Sequence, residues 1–448
     1  MTIAPRPFWL ACLGGLVLGA AVFVSPVTVA CGVVLALIVM AAVRGLEGRE
    51  RQLVLGVLGI AIALRVATIL GLFISANHAG QYVTSFPFDG DGLFMKRRSL
   101  WMRSVWLGLP IEPDFFSMTF ASYGWTSYVP AIALLQYLLG VAPYAVHLVN
   151  VCCYVGSAVM VHRVVRPSYG AVPALLAMIG ILFMPTLFMW SVSALKESPY
   201  FLLTMCIVVG LAVAARPGGI ARRLVGLGVA LAALSVVDTV RGGTGTILVS
   251  GIVVAMIGTF LTRRVVLAGL VMAVAVVGGW QMLDKPSVQA QLLPVLTDTA
   301  ELHINHVHSE GHSYKLLDQR LYTIGRVQSM TWPEAKRYVV SALISFVTVP
   351  RPWDSLSLSE LLLIPQQVLW WGLLLFAVPG SIAGVRRDPF LTWLFLGLTL
   401  SGAFFISLTN GNIGTMVRFR DSVVPFVVCL GAMGVTSVLA KAGRRMEA

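Results

Sequence analysis

Two carboxylates stand two residues apart in the stretch Phe86-Pro87-Phe88-Asp89-Gly90-Asp91-Gly92, with glycines loosening the backbone beside them. Either Asp89 or Asp91 suits a general base, because partial desolvation at a membrane edge raises a carboxylate's proton affinity and lets it deprotonate an acceptor hydroxyl. The same residues also spell an Asp-Gly turn capping the helix that follows. Both readings stay open at the level of the residues. Three further places hold charge in apolar surroundings. Arg98 falls inside the apolar arc of the next segment, where a guanidinium needs a carboxylate or phosphate partner or must snorkel to lipid headgroups. Lys196 and Glu197 set opposite charges at the end of an apolar stretch, as an interfacial ion pair or as ligand contacts. Arg418-Phe419-Arg420 brackets an aromatic ring with two guanidiniums, which suits either a phosphate clamp or an interfacial anchor.

Four histidines cluster as His303, His306, His308 and His312, with Glu301 and Glu310 among them. Such groups can hold a divalent metal, and that is the one cofactor the sequence leaves open. The spacing follows no helical ligand motif, so a solvated polar loop is the expectation. The six cysteines all fall in apolar stretches and read as small buried hydrophobes rather than disulfide or thiolate sites. No Walker-type loop and no strand-borne GxGxxG occurs, which argues against soluble nucleotide chemistry.

The elements that must position these residues are membrane helices. Of 448 residues, 58% are apolar and 11% charged, whereas a soluble domain carries about 25% charged residues. The fold class expected is all-α and polytopic. Apolar runs long enough to cross a bilayer lie near 8–25, 27–43, 53–75, 145–162, 172–190, 199–215, 224–239, 244–261, 265–283, 361–382, 389–408 and 421–440. That predicts about twelve spans. The net charge of +13 would suggest nucleic acid in a soluble chain, but most basic clusters sit between spans, so no nucleic-acid partner is expected. Arg6, Arg44/Arg49/Arg51, Arg163/Arg166, Arg216/Arg222/Arg223, Arg263/Arg264, Arg386/Arg387 and Lys441/Arg444/Arg445 all fall on one face of this arrangement. The positive-inside rule then makes both termini cytoplasmic and the segments 76–144 and 284–360 extracytoplasmic.

Four regions result: a hairpin and loop over 1–52, a membrane core over 53–283 with its outer loop at 76–144, an outer loop over 284–360, and terminal spans over 361–448. Leu93 to Leu107 predicts an interfacial helix with Phe94, Met95, Trp101, Met102, Val105 and Trp106 on one arc and Lys96, Arg97 and Arg103 off it. The apolar segments 127–140 and 338–349 are too short to span and predict two more interfacial helices. Arg65, deep in the third span, must face protein.

In order along the chain, these pieces resemble the GT-C superfamily of membrane glycosyltransferases, particularly bacterial enzymes related to protein mannosyltransferases and lipid A aminoarabinose transferases. The resemblance covers roughly 86–240 and 415–440. It rests on Asp89 and Asp91 ahead of the helix with Phe94 and Trp101, then Tyr128-Val129-Pro130 through Leu134, Leu135, Leu138, Leu139 and Gly140. It continues with Ala145-Val146-His147-Leu148-Val149-Asn150, Glu197, and Arg418-Phe419-Arg420 with Pro425. Two departures stand out: two extra spans precede the acidic loop, and the usual Pro-Pro pair is reduced to Pro130. The resemblance implies transfer of a sugar from a polyprenyl-phosphate donor to a lipid or glycan acceptor at the outer face of a bacterial-type inner membrane. Asp89 or Asp91 would serve as base, and Arg98, Lys196, Glu197, Arg418 and Arg420 would handle donor phosphate and substrate. A polysaccharide polymerase and a lipid-linked-sugar flippase are the alternatives.

Overall fold

Prolines at first turns, apolar runs of about twenty residues and basic helix ends write the helical plan. The computed structural model describes residues 25–75, 90–122, 124–264, 269–271, 273–274, 281–283, 285–309, 312–323, 330–353, 361 and 363–446. In chain order the helices are α1 (Pro26–Val43), α2 (Gly48–Ser75), α3 (Gly90–Trp106), α4 (Pro113–Phe120), α5 (Tyr128–Leu139) and α6 (Ala145–Tyr169). Next come α7 (Ala171–Phe183), α8 (Pro185–Val192), α9 (Glu197–Ala215), α10 (Ile220–Val240), α11 (Thr244–Thr262) and α12 (Pro286–Val307). The chain closes with α13 (Gln319–Thr323), α14 (Trp332–Thr348), α15 (Ile364–Arg387), α16 (Pro389–Thr409), α17 (Ile413–Arg420) and α18 (Val424–Met446).

Among the described residues, nine helices are long and apolar enough to cross a membrane, or ten if α7 and α8 form one broken span. These ten match ten of the predicted spans. The other two, at 8–25 and 265–283, lie largely outside the described residues. The protein is therefore an all-α membrane protein. One predicted span, 172–190, is not continuous: the chain bends by 61° between α7 and α8. Pro185 lacks an N–H and crowds the residue before it, so the helix stops at Met184. The segment 127–140 forms α5, whose twelve residues reach about 18 Å, well short of the hydrocarbon core. All of the segment 338–349 except Val349 lies within a longer helix, because Thr331 and Glu334 form a capping box that starts α14 earlier.

The chain divides into two compact units, residues 1–163 with 187–242 and residues 164–186 with 243–448. In the first, α3 packs on α5 through Met95, Met102, Tyr128, Val129, Ile132 and Ala133. Arg65 is fully buried; its Nε donates to Ser191 Oγ at 2.8 Å, its Nη1 to Ala61 O at 3.1 Å, and its guanidinium lies over the Tyr154 and Phe188 rings. In the second unit α15 and α18 meet backbone to backbone. A Cβ on Gly380 would sit 1.8 Å from Leu430 O, and one on Gly434 1.8 Å from Phe376 O, so only glycine permits the crossing.

Candidate functional site

The last carbonyls of a helix have no partners inside it and need donors from elsewhere. At the last residue of α8 and the three that follow it, carbonyls face donors on three side chains of the first unit. His147 Nδ1 lies 2.7 Å from Val192 O, and Asn150 Nδ2 donates to Ser193 O and to Leu195 O, each at 2.7 Å. The Tyr128 hydroxyl sits 3.1 Å from Ala194 O and 3.2 Å from Asn150 Oδ1, and its single proton serves one at a time. His147 and Asn150 are three apart on α6 and so face the same way. The segment they grip leads directly into Lys196, the residue before α9, and Glu197 in its first turn. Both charged side chains are half-buried.

A carbonyl only accepts, so His147 carries its proton on Nδ1 and turns the Nε2 lone pair outward. Facing that lone pair, at 3.4 Å, is Lys96 Nζ. The helical-wheel expectation for Lys96 is thus corrected: the ammonium is buried, at 4% exposure, on the inward face of α3. The tertiary partner explains the difference, since an acceptor within reach outweighs the apolar count of the arc. Asp91 stands in the first turn of the same helix, where the helix dipole complements a carboxylate. Its side chain is exposed, so the desolvation expected for this carboxylate is not supplied by the described protein. Asp89 lies outside the described residues.

Arg98 is fully buried within the first unit. Its Nε donates to Thr119 O at 3.0 Å, its Nη2 donates to Ala121 O, and the guanidinium faces the Phe94 and Trp125 rings. Burial pushes its pKa below the ordinary arginine value. These contacts bind α3 to the end of α4, which is a positioning role.

Arg418 and Arg420 belong to the second unit and are not equivalent. Arg418 is half-buried, whereas Arg420 is 1% exposed. Arg420 Nη1 donates to Phe346 O at 3.2 Å and Val349 O at 2.9 Å, capping the end of α14, and its guanidinium lies over Trp370. Burial lowers its pKa to about 10, with Asp421 and Tyr314 acting in opposition.

The expectation of a solvated loop fails for the first two of the four histidines. His303 and His306 lie in α12, and His303 is fully buried. Its Nδ1 donates to Asn410 O at 2.8 Å, and its Nε2 accepts from the Tyr322 hydroxyl at 3.1 Å. Burial lowers the His303 pKa to about 4, the Asn410 contact opposing and His306 adding to the shift. His306 Nδ1 lies 2.8 Å from Thr409 O, while His308 and His312 are exposed. Among the described residues, no three His, Cys, Asp or Glu side chains come together as a metal site. Sequence reading attached no role to His147 or Lys96. The signal for His147 is its place one turn before Asn150, on the same face of an apolar helix.

The first unit also has an apolar groove of about 370 Å³ between α1, α2 and the start of α6. Thr28, Leu35, Ile69, Phe73, Tyr144 and Leu148 are among its walls. Comparison with protein-family models, curated proteins and solved structures found no match to this chain.

Proposed function

We propose that the protein is a membrane glycosyltransferase that moves a sugar from a polyprenyl-phosphate donor to an acceptor hydroxyl at the extracytoplasmic face. The observation that supports this is the grip on residues 192–195. Tyr128 and Asn150, which lie far apart in sequence and carry the family resemblance, both bond the short segment that leads into Glu197, with Lys96 next to His147. The apolar groove suits an isoprenoid tail, because its walls are almost wholly hydrocarbon.

In the proposed chemistry Asp91, or Asp89 two residues earlier, takes the proton of the acceptor hydroxyl. The freed oxygen attacks the anomeric carbon as its bond to the phosphate oxygen breaks, inverting the centre. The electron pair leaves on the polyprenyl phosphate, and Lys196 supplies positive charge to it; fixed charges aimed at developing charge are usually a large catalytic term. Lys196 and Glu197 are held in register for this by the four gripped carbonyls. Arg98 and Arg420 are assigned structural parts, and the phosphate needs neither.

The test is sugar transfer and donor binding by purified D89N and D91N proteins in lipid. One variant should bind donor yet lose about 100- to 10,000-fold in turnover, the usual worth of a general base. Full turnover in both variants removes the catalytic assignment. A second reading, a lipid-linked-sugar transporter, draws support from the break at Met184–Pro185, because transporters build their sites on discontinuous helices. Donor crossing the bilayer with no sugar product from the wild type would establish that reading instead.

A further inference from the structure

Beyond the glycine crossing of α15 and α18, both helices continue for seven residues more, from Gly380 to Arg387 and from Gly434 to Lys441. Together with α7 they enclose a groove of about 480 Å³. Its rim carries Arg386, Arg387 and Lys441, all exposed, and its wall carries the Thr436 and Ser437 hydroxyls. The rest of the lining is apolar, with Pro379, Ile382 and Met433 among it. Among the described residues, no carboxylate lines it. Asp388, the acid next in sequence, is occupied instead as the N-cap of α16, accepting from Leu391 N and from the Ser168 hydroxyl. Ile382 is 59% exposed, so the groove opens sideways, toward the surface that a bilayer would cover.

A ligand that satisfies this groove needs an anionic head and a hydrocarbon tail on one molecule. We propose that it binds an anionic phospholipid, with the headgroup phosphate among Arg386, Arg387 and Lys441 and an acyl chain along Pro379, Ile382 and Met433. Basic pockets between membrane helices bind anionic headgroups by this combination of charge and apolar wall. Arg387 is part-committed, since one of its nitrogens donates to Tyr169 O. Arg386 and Lys441 are therefore the discriminating cations. By the positive-inside rule the groove faces the cytoplasmic leaflet, opposite to the proposed sugar chemistry and independent of it.

The experiment is native mass spectrometry of the purified full chain titrated with phosphatidylglycerol or with phosphatidylcholine of the same acyl length. Wild type should prefer phosphatidylglycerol, and the double variant R386Q/K441Q should bind it about thirtyfold more weakly, each cation near an anionic surface being worth about fivefold. Both residues are exposed at helix ends, and unchanged helical circular dichroism checks that the variant folds. Ala440→Trp fills the groove and leaves every cation in place, so it should also abolish the preference. Equal binding of the two lipids by wild type would overturn the proposal. So would a preference that survives Ala440→Trp, which would mean diffuse attraction rather than a groove. Displacement of the lipid by millimolar inorganic phosphate would equally overturn it, as a site for phosphate without a tail.

Discussion

The ends of α8 and α16 solve one problem in two ways. Each helix finishes with carbonyls that side chains from elsewhere must satisfy. At α8 the donors are His147, Asn150 and Tyr128. At α16 they are Tyr338 on Leu408 O, His306 on Thr409 O, and His303 with Tyr314 on Asn410 O. The networks differ in where they lead. From His303 the chain runs to the Tyr322 hydroxyl, which accepts from Leu316 N and Leu317 N, and so closes on backbone. From His147 it runs to the Lys96 ammonium, and the gripped segment opens directly into Lys196 and Glu197. A polar network that closes on backbone fixes structure, whereas one that leads to charge can also serve chemistry.

The widest separation of the two should come from Asn150→Leu. It leaves Ser193 O and Leu195 O buried without their donor, at a cost of about 1 to 3 kcal/mol each. Thermal unfolding in detergent should fall accordingly, and donor turnover with it; an unchanged midpoint would break the proposed link between grip and site. At α16 the corresponding probe is acid. His303 titrates near 4 in the fold against 6.5 when free, so the folded chain binds fewer protons between those values and stability falls as the pH is lowered through them. The loss should approach about 3 kcal/mol and level off below pH 4. His303→Gln should flatten that part of a stability-against-pH curve, and an unaltered curve would remove His303 as its cause.

The smallest effect belongs to the start of α14. Glu334 accepts from Thr331 N–H, from Arg320 and from the Thr331 hydroxyl, which together hold its pKa at about 2. Its contribution is present above the ordinary value of 4.5 and is lost as the pH falls through 2. Glu334→Gln keeps the capping geometry, so the two proteins should differ by about 1 kcal/mol or less at neutral pH and converge near pH 2. A difference that persists there would place the effect in packing.

What could be read in advance follows from how far apart the interacting groups lie. The spans were legible because an apolar run of twenty residues is a local property, and the break at Met184 was signalled by Pro185, although hydropathy averages across it. Tyr128 and Asn150 stood out as polar residues in apolar stretches, but the segment they share could not be read in advance, because their partners on it lie 43 to 66 residues away. Lys96 was misplaced by its wheel position for the same reason, its partner being 51 residues distant. His303 looked solvated because a polar stretch ordinarily is, yet its acceptor is 107 residues further along the chain.

The glycine crossing of α15 and α18 bears on how the protein meets bilayers of different thickness. A spanning helix that is too long or too short for its membrane can tilt, slide against neighbours or deform the lipid around it. Gly380 against Leu430 and Gly434 against Phe376 lock this pair at the peptide backbone, with no side chain between to act as a compliant layer. Sliding by one residue would bring a Cβ into a carbonyl. For this pair sliding is closed, so hydrophobic mismatch is met by tilting the two helices together as a rod of fixed register or by lipid that thins or thickens around it.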